Sequence, residues 1–369
     1  MRGNLRVWTA VLAVTAIGMA TVATSAQALP AGFWGLDSQA TPTLSQLQRI
    51  KRGGVSSLRV PIPWGAVQPT AGGPFDWSGI DAYVAGSAQA GLDVLPFLYG
   101  PPAWVVPQVH IPNSTVPAPR TLPVKSAAQR SAWSNFLRQA VARYGPRGSF
   151  WAENPGIPKR PIRTWQIGNE ENFFYFVAHP SPSDYGKLVK ISHAALKGAD
   201  RGAKIILCGL FALPRQKPPK AYPAFQFLQQ MYKRTPGVKR DFDGVSLHPY
   251  VRDYKYLTPE INQVRGVLKK AGDGGVPLWI TELGWSSSKP NHTDAFEKGP
   301  QGQAKELKGA LGLLRKNQRK WHIQRVYWFS LDDAVGSCNF CDGSGLFGAG
   351  FTPKPAWYAF VKFTGGHAS

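Results

Sequence analysis

The sequence is short of acid, and shorter still of glutamate. Among 369 residues only 21 are Asp or Glu, against 43 Lys or Arg, which gives a formal net charge of +22. Seven of those acids are glutamates, and none precedes Glu153. So small a set leaves few candidates for carboxylate chemistry. Charged residues make up 17% of the chain and hydrophobic ones 43%. That is too little charge for a disordered or coiled-coil protein, and enough apolar material for a large core. After the first 28 residues no stretch approaches the ~18 apolar residues of a transmembrane helix. No Pro- or Ser-rich linker divides the remainder, so a single domain is expected.

Cysteine is scarce as well, with three in the chain. Cys338 and Cys341 lie in the turn-rich stretch Ser337-Cys338-Asn339-Phe340-Cys341-Asp342-Gly343. A redox pair would sit at a helix start in a thioredoxin-like unit, and zinc would require a second pair. Neither context is present, which favours a small-loop disulfide, as fits an exported protein. Cys208 ends the apolar run 205–207 and reads as a buried thiol.

Export is read from the amino terminus. Arg2 and Arg6 precede an apolar run to about residue 23, and Ala26-Gln27-Ala28 supplies a small-residue cleavage pattern. A membrane anchor would be longer and richer in leucine. Residues 1–28 are therefore expected to be a secretory signal peptide and 29–369 the mature domain, secreted or associated with the cell envelope.

Short apolar runs recur at 32–36, 57–60, 94–98, 164–167, 204–207, 244–247, 278–280 and 326–329. Helical patterns lie between them. Asp76 and Ser126 read as caps, Ser183 precedes a further helix, and Thr258-Pro259-Glu260 reads as cap, first-turn proline and dipole-compatible acid. Eight strand–helix pairs predict an α/β fold, a single (β/α)8 TIM barrel with enlarged loops at its C-terminal face. A doubly wound sheet would carry a Gly-rich phosphate turn after its first strand, and Gly35-Leu36-Asp37-Ser38 does not fit one. The Pro-rich loop 100–125 after the third strand would lie on the catalytic rim.

Two glutamates close predicted strands. Glu170 ends Thr164-Trp165-Gln166-Ile167-Gly168-Asn169-Glu170-Glu171, on the fourth. Glu282 follows Leu278-Trp279-Ile280-Thr281, on the seventh. Carboxylates at strand C-termini point into a barrel's shared mouth, and a pair there is what glycoside hydrolysis requires. Glu153, Glu260, Glu297 and Glu306 sit in loop, helix or polar contexts and look ordinary. A metal site is the competing reading, but His248 is the only histidine at a strand end. No His and Asp ligand set clusters near either glutamate, so neither metal nor cofactor is expected.

At these residues the chain resembles clan A of the retaining glycoside hydrolases, the "4/7" barrel enzymes, and is similar to their family 39. The likeness covers most of 29–369. Asn-Glu after strand four and Ile-Thr-Glu-x-Gly-Trp after strand seven carry it. By that resemblance Glu170 is the acid/base, Glu282 the nucleophile and Asn169 a ligand for the sugar 2-hydroxyl. Arg59 matches the clan arginine beside the nucleophile, His248 and Tyr250 its His/Tyr pair after strand six, and Trp328 the strand-eight tryptophan under the sugar. Many members read Trp-Asn-Glu-Pro where this chain has Gly168-Asn169-Glu170-Glu171; Glu171 is expected to point away from the pocket, since successive strand residues alternate sides.

Trp34, Trp64, Tyr99, Trp104, Phe173, Tyr175, Trp285 and Trp328 all fall near expected strand ends, where aromatic faces stack on sugars. Core packing is the alternative for each. The implied function is a secreted retaining glycosidase acting on a β-linked oligo- or polysaccharide. A carbohydrate-binding barrel without turnover, or a transglycosylase using the same pocket, are the alternatives. Basic clusters at 215–220, 233–240 and 316–320 are expected on helices and back loops, as a solvated surface. Retention on anionic envelope polymers is the next reading, and nucleic acid the weakest because no binding motif accompanies the charge.

Overall fold

The computed structural model describes residues 29–109, 120–290, 294–334, 336, 338 and 340–369. The expected signal peptide lies outside them, as does the middle of the Pro-rich loop. Among the described residues, no helix is long and apolar enough to cross a membrane.

Nine strands form one sheet: β1 (Trp34–Asp37), β2 (Ser57–Pro63), β3 (Asp93–Tyr99), β4 (Thr164–Ile167), β5 (Lys204–Ile206), β6 (Leu210–Phe211), β7 (Val245–His248), β8 (Leu278–Ile280) and β9 (Ile323–Trp328). Their order is β5-β4-β3-β2-β1-β9-β8-β7-β6, and every pairing is parallel. A parallel bridge between Ile206 and Gly244, and the hydrogen bond from Leu207 N to Gly244 O at 3.0 Å, join β5 to the start of β7. β5 and β6 are thus two pieces of one barrel strand, and the ring has the eight positions the sequence implies. Gly209 lies at the break, where a Cβ would come within 1.7 Å of His248 Nε2. The strand yields there to make room for the imidazole.

The described residues also form ten α-helices, numbered in chain order: α1 (Leu44–Arg52), α2 (Trp64–Val67), α3 (Ser78–Gln89), α4 (Ala127–Tyr144), α5 (Ser149–Glu153), α6 (Pro182–Ala199), α7 (Ala224–Arg234), α8 (Leu257–Lys270), α9 (Gly299–Lys316) and α10 (Pro355–Thr364). α4 starts with a capping box between Ser126 and Gln129. It buries Trp133, Phe136, Leu137, Ala140 and Val141, as its periodicity predicts. Two expected caps shift. Trp77, not Asp76, stands at the N-cap of α3, with Asp76 Oδ1 accepting from Ser78 N at 2.9 Å, while α6 is capped by Ser181 just ahead of Pro182 in its first turn. Thr258 is already inside α8, which continues a 3-10 turn at Tyr254–Tyr256 and has no side-chain cap.

Strand alternation sorts residues into two layers inside the ring. Leu95, Ile206, Trp279 and Tyr327 form an apolar cluster separate from the main core. One alternation further along, register sets Asp37 beside Arg59, and Phe97 beside Gln166. The polar layer therefore rests on an apolar floor, at the C-terminal end of the strands.

Candidate active site

Arg59, on β2, is fully buried and organises this layer. Its Nη1 donates to Asp37 and to Glu282 Oε1 (2.7 Å), its Nη2 to Asn169 Oδ1 (2.5 Å) and its Nε to Gln166 Oε1 (2.9 Å). Its guanidinium carbon stands 4.0 Å above the Phe97 ring. Four strands thus converge on one cation, which is what makes its burial tolerable. Asp37, Gln166 and Phe97 were not singled out from sequence. Their signal was available: Asp37 and Gln166 are polar residues in otherwise apolar strands.

Glu282 emerges from the end of β8, the seventh barrel position. Tyr250 donates its hydroxyl to Glu282 Oε2 at 2.7 Å. Burial pushes the Glu282 carboxyl up to about 7, opposed chiefly by the Arg59 charge. Across the mouth, Glu170 follows β4. Burial first, and the Glu282 charge second, raise it well above the ordinary carboxylate range. His248 Nδ1 lies 2.7 Å from Glu170 Oε1 and 3.4 Å from Glu282 Oε2. One ligand atom from each of Glu170, His248 and Glu282 lies within 4.8 Å of the other two. The same set suits a divalent cation, but the Arg59 guanidinium on Glu282 opposes a second positive charge at that point.

Burial, and then the Arg59 charge, hold the His248 ring well below its usual range, so it is neutral. Two carboxyl oxygens face Nδ1, and the electrostatics assign the single ring proton there. Thr281 Oγ1, 3.0 Å from Nε2, then supplies the complementary hydroxyl proton. This leaves the second oxygen of Glu170 to carry a transferable proton.

The Glu171 side chain does turn away from the other carboxylates, into a buried position beneath Gly168. Its Oε1 accepts from Asn169 N at 3.4 Å, and its Oε2 has no hydrogen-bond partner among the described residues. Gly168 has φ +82°, and a Cβ on it would come within 2.5 Å of Glu171 Oε1. Glycine before Asn-Glu is therefore required here twice over, by conformation and by space. Burial pushes the Glu171 carboxyl up to about 8. Behind it Tyr185 donates to Ile167 O (2.9 Å) and accepts from Cys208 N (2.6 Å), and Cys208 is the buried thiol its context implies.

The aromatic expectations need correction. Trp64 is enclosed, stacked 9° from parallel on Phe136 with its indole N–H on Gln68, and belongs to the core. Trp285 is equally enclosed and donates to Val251 O at 2.8 Å. Trp328 packs on Trp285 and donates to Ser344 O, with 1% of its surface exposed. Trp34 begins β1, and so lies at the opposite end of the barrel, against Phe33 and Phe363. Tyr99 and Trp104 remain half-buried near the mouth, as does Phe173, while Tyr175 is exposed. The aromatic surround of Tyr250 comes instead from Phe211, Phe296, Phe329 and Phe340, at ring separations of 5.2–6.3 Å. Phe340 is carried by the Cys338–Cys341 disulfide loop. Among the glutamates taken as ordinary, Glu260 is buried and pushed up to about 7, and Glu306 accepts from Tyr254 N at 2.8 Å.

No protein-family profile and no curated protein matches the sequence. Solved structures do match its fold. A family 39 glycoside hydrolase from Bacteroides cellulosilyticus WH2 aligns with a TM-score of 0.61 at 18% identity, over 91% of this chain and 64% of that one. A glucosidase from Croceicoccus marinus aligns at 0.62 and 15% identity, over 91% and 68%. A family 39 β-xylosidase from Caulobacter crescentus aligns at 0.59 and 20% identity, over 92% and 72%. The chain therefore spans about two thirds of the length of these proteins, and it shares with them the (β/α)8 fold.

Proposed function

We propose that the protein is a retaining glycoside hydrolase acting on a β-linked glycan, with Glu170 as acid/base and Glu282 as nucleophile. The observation that carries this reading is that one carboxylate oxygen each of Glu170 and Glu282 lie within 4.8 Å of one another, beside a neutral His248. Inverting enzymes hold the two groups about 6.5–9.5 Å apart to admit a water, and retaining ones about 5–5.5 Å.

Glu282, paired with Arg59 and Tyr250, is the carboxyl better able to ionise, and it attacks the anomeric carbon. Glu170, disfavoured as an anion by burial and by Glu282, keeps its proton and gives it to the leaving oxygen. Once Glu282 is esterified its charge is gone, the pKa of Glu170 falls, and Glu170 activates the water that releases the sugar. Asn169, held by Arg59 Nη2, is placed to bond the sugar 2-hydroxyl. Fold likeness to glycosidases supports the reaction class. Export rests on the sequence pattern of residues 1–28, and retention on anionic polymers on the net charge.

Proton NMR of product anomers, on a panel of aryl β-glycosides, tests the reading. Wild type should release the β-anomer first, while Glu282→Gln should release none. A first-formed α-anomer would refute it, and absence of turnover on every glycan with intact binding would favour the carbohydrate-binding alternative.

A further inference from the structure

The basic cluster at 215–220 is not on the back of the barrel. It is the loop after β6, on the same face as the two carboxylates. Both ends of that loop are fastened to Asn172, two residues beyond Glu170. Asn172 Nδ2 donates to Phe211 O (2.8 Å) and Tyr222 O (2.7 Å), its Oδ1 accepts from Phe211 N (3.0 Å), and its carbonyl accepts from Tyr222 N (2.9 Å). Between those anchors the chain carries Arg215, Lys217 and Lys220, all exposed. No carboxylate lies within ion-pair distance of the three among the described residues, although Arg143, Arg160 and Arg163 elsewhere find acids.

Apolar exposure concentrates on this same face. Six large hydrophobic side chains are exposed among the described residues: Leu44, Tyr175, Phe176, Leu213, Tyr256 and Tyr358. Four of them, Tyr175, Phe176, Leu213 and Tyr256, are on the loops that follow β4, β6 and β7. A merely solvated surface has no need of aromatic faces beside its lysines. A carbohydrate that bears negative charge uses both, rings for the flat faces of the sugars and cations for their acidic groups.

We propose that the glycan is polyanionic, a chain of β-linked uronosyl residues whose carboxylates lie along Arg215, Lys217 and Lys220. This rests on the hydrolase reading above, in which Glu170 protonates the leaving oxygen, and on the anchoring of the basic loop by Asn172, two residues beyond Glu170. The cations draw the polymer in and fix its register, and Tyr175 and Leu213 support the sugar faces. The bond that breaks and its proton balance are those already described.

Binding of short β-linked mannuronate oligomers, and of the same oligomers after carboxyl reduction, measured on Glu282→Gln protein, tests the proposal. The acidic form should bind about tenfold more tightly at low salt, and the advantage should shrink as salt screens it. Adding Arg215→Glu, Lys217→Glu and Lys220→Glu should abolish the advantage. The same triple change in the otherwise native enzyme should leave hydrolysis of a neutral aryl β-glycoside unaltered, which separates loss of recognition from misfolding. Equal binding of acidic and reduced oligomers would overturn the proposal, as would an advantage that survives the triple change. Poly(glycerol phosphate) held as tightly as the uronide would also overturn it, since charge alone would then suffice. If no glycoside is hydrolysed while uronide binding still depends on the loop, the hydrolase reading falls and the anionic specificity stands.

Discussion

His248 Nδ1 lies 2.7 Å from Glu170 Oε1 and the ring is neutral, so the Glu170 carboxyl is braced by a group that neither neutralises nor competes with it. A protonated histidine at that distance would stabilise the Glu170 anion and lower its pKa. Burial, with Arg59 nearby, prevents this, and a carboxyl with a raised pKa remains available as an acid.

The pH profile follows from the two carboxyls. Glu282 must be charged to attack, so kcat/KM should rise as pH passes through its value of about 7. Glu170 must hold its proton, so activity should fall again at higher pH, where that carboxyl, raised by burial and by Glu282, ionises. Glu170→Ala should lose the alkaline limb on a dinitrophenyl glycoside, whose departure needs no acid. An unchanged bell in that variant would assign the limb to another group.

Glu171 gives a stability prediction of definite sign. Its folded value of about 8 lies above the ordinary carboxylate value, so the native state binds the proton more tightly than the unfolded chain. Between about pH 4.5 and 8 the unfolded state gives up its proton first, and stability from this group declines by up to about 1.4 kcal/mol per pH unit. Glu171→Gln should therefore raise Tm at pH 8–9 and have little effect near pH 4.5. Equal shifts at both pH values would mean that Glu171 is charged in the fold.

Arg59 is the cation on which Asp37 and Glu282 both depend. Arg59→Met leaves two buried carboxylates unpaired, and urea unfolding at pH 7 should show a loss of about 3–5 kcal/mol. Stability within 1 kcal/mol of wild type, by the scale of an ordinary exposed pair, would show that water or rearrangement replaces the guanidinium.

Gly209→Ala places a methyl where the His248 ring stands. The ring must shift, and misplacement of this order costs about 10²-fold in rate. The loss should appear in kcat, and be smaller on substrates whose leaving group needs no proton. A uniform loss of folded protein would mean that the strand, and not the imidazole, had given way.

The barrel was legible because its signal repeats. Eight apolar runs buried on both faces, separated by helices of period 3.6, admit few arrangements. Only the split of the fifth strand went unseen, since it answers to the His248 ring in space and not to any local pattern. The carboxylates were legible because glutamate is so rare. Trp64, Trp285 and Trp328 were misread because proximity to a strand end does not say which side of the pleat a ring occupies. Trp64 faces Phe136 and the helical layer, whereas Phe340, unremarkable in sequence, reaches Tyr250 through a disulfide loop. The place of the 215–220 loop was hidden for the same reason: it depends on Asn172, a residue with no motif of its own.

The covalent step is the centre of the account. Incubation with 2-deoxy-2-fluoroglycosyl dinitrophenyl β-glycosides, followed by mass spectrometry of the intact protein and its peptides, reads that step directly. One sugar per chain should be trapped, as an ester on Glu282. A label on any other residue, or turnover of the parent glycosides with inverted configuration and no trapped sugar, would contradict it.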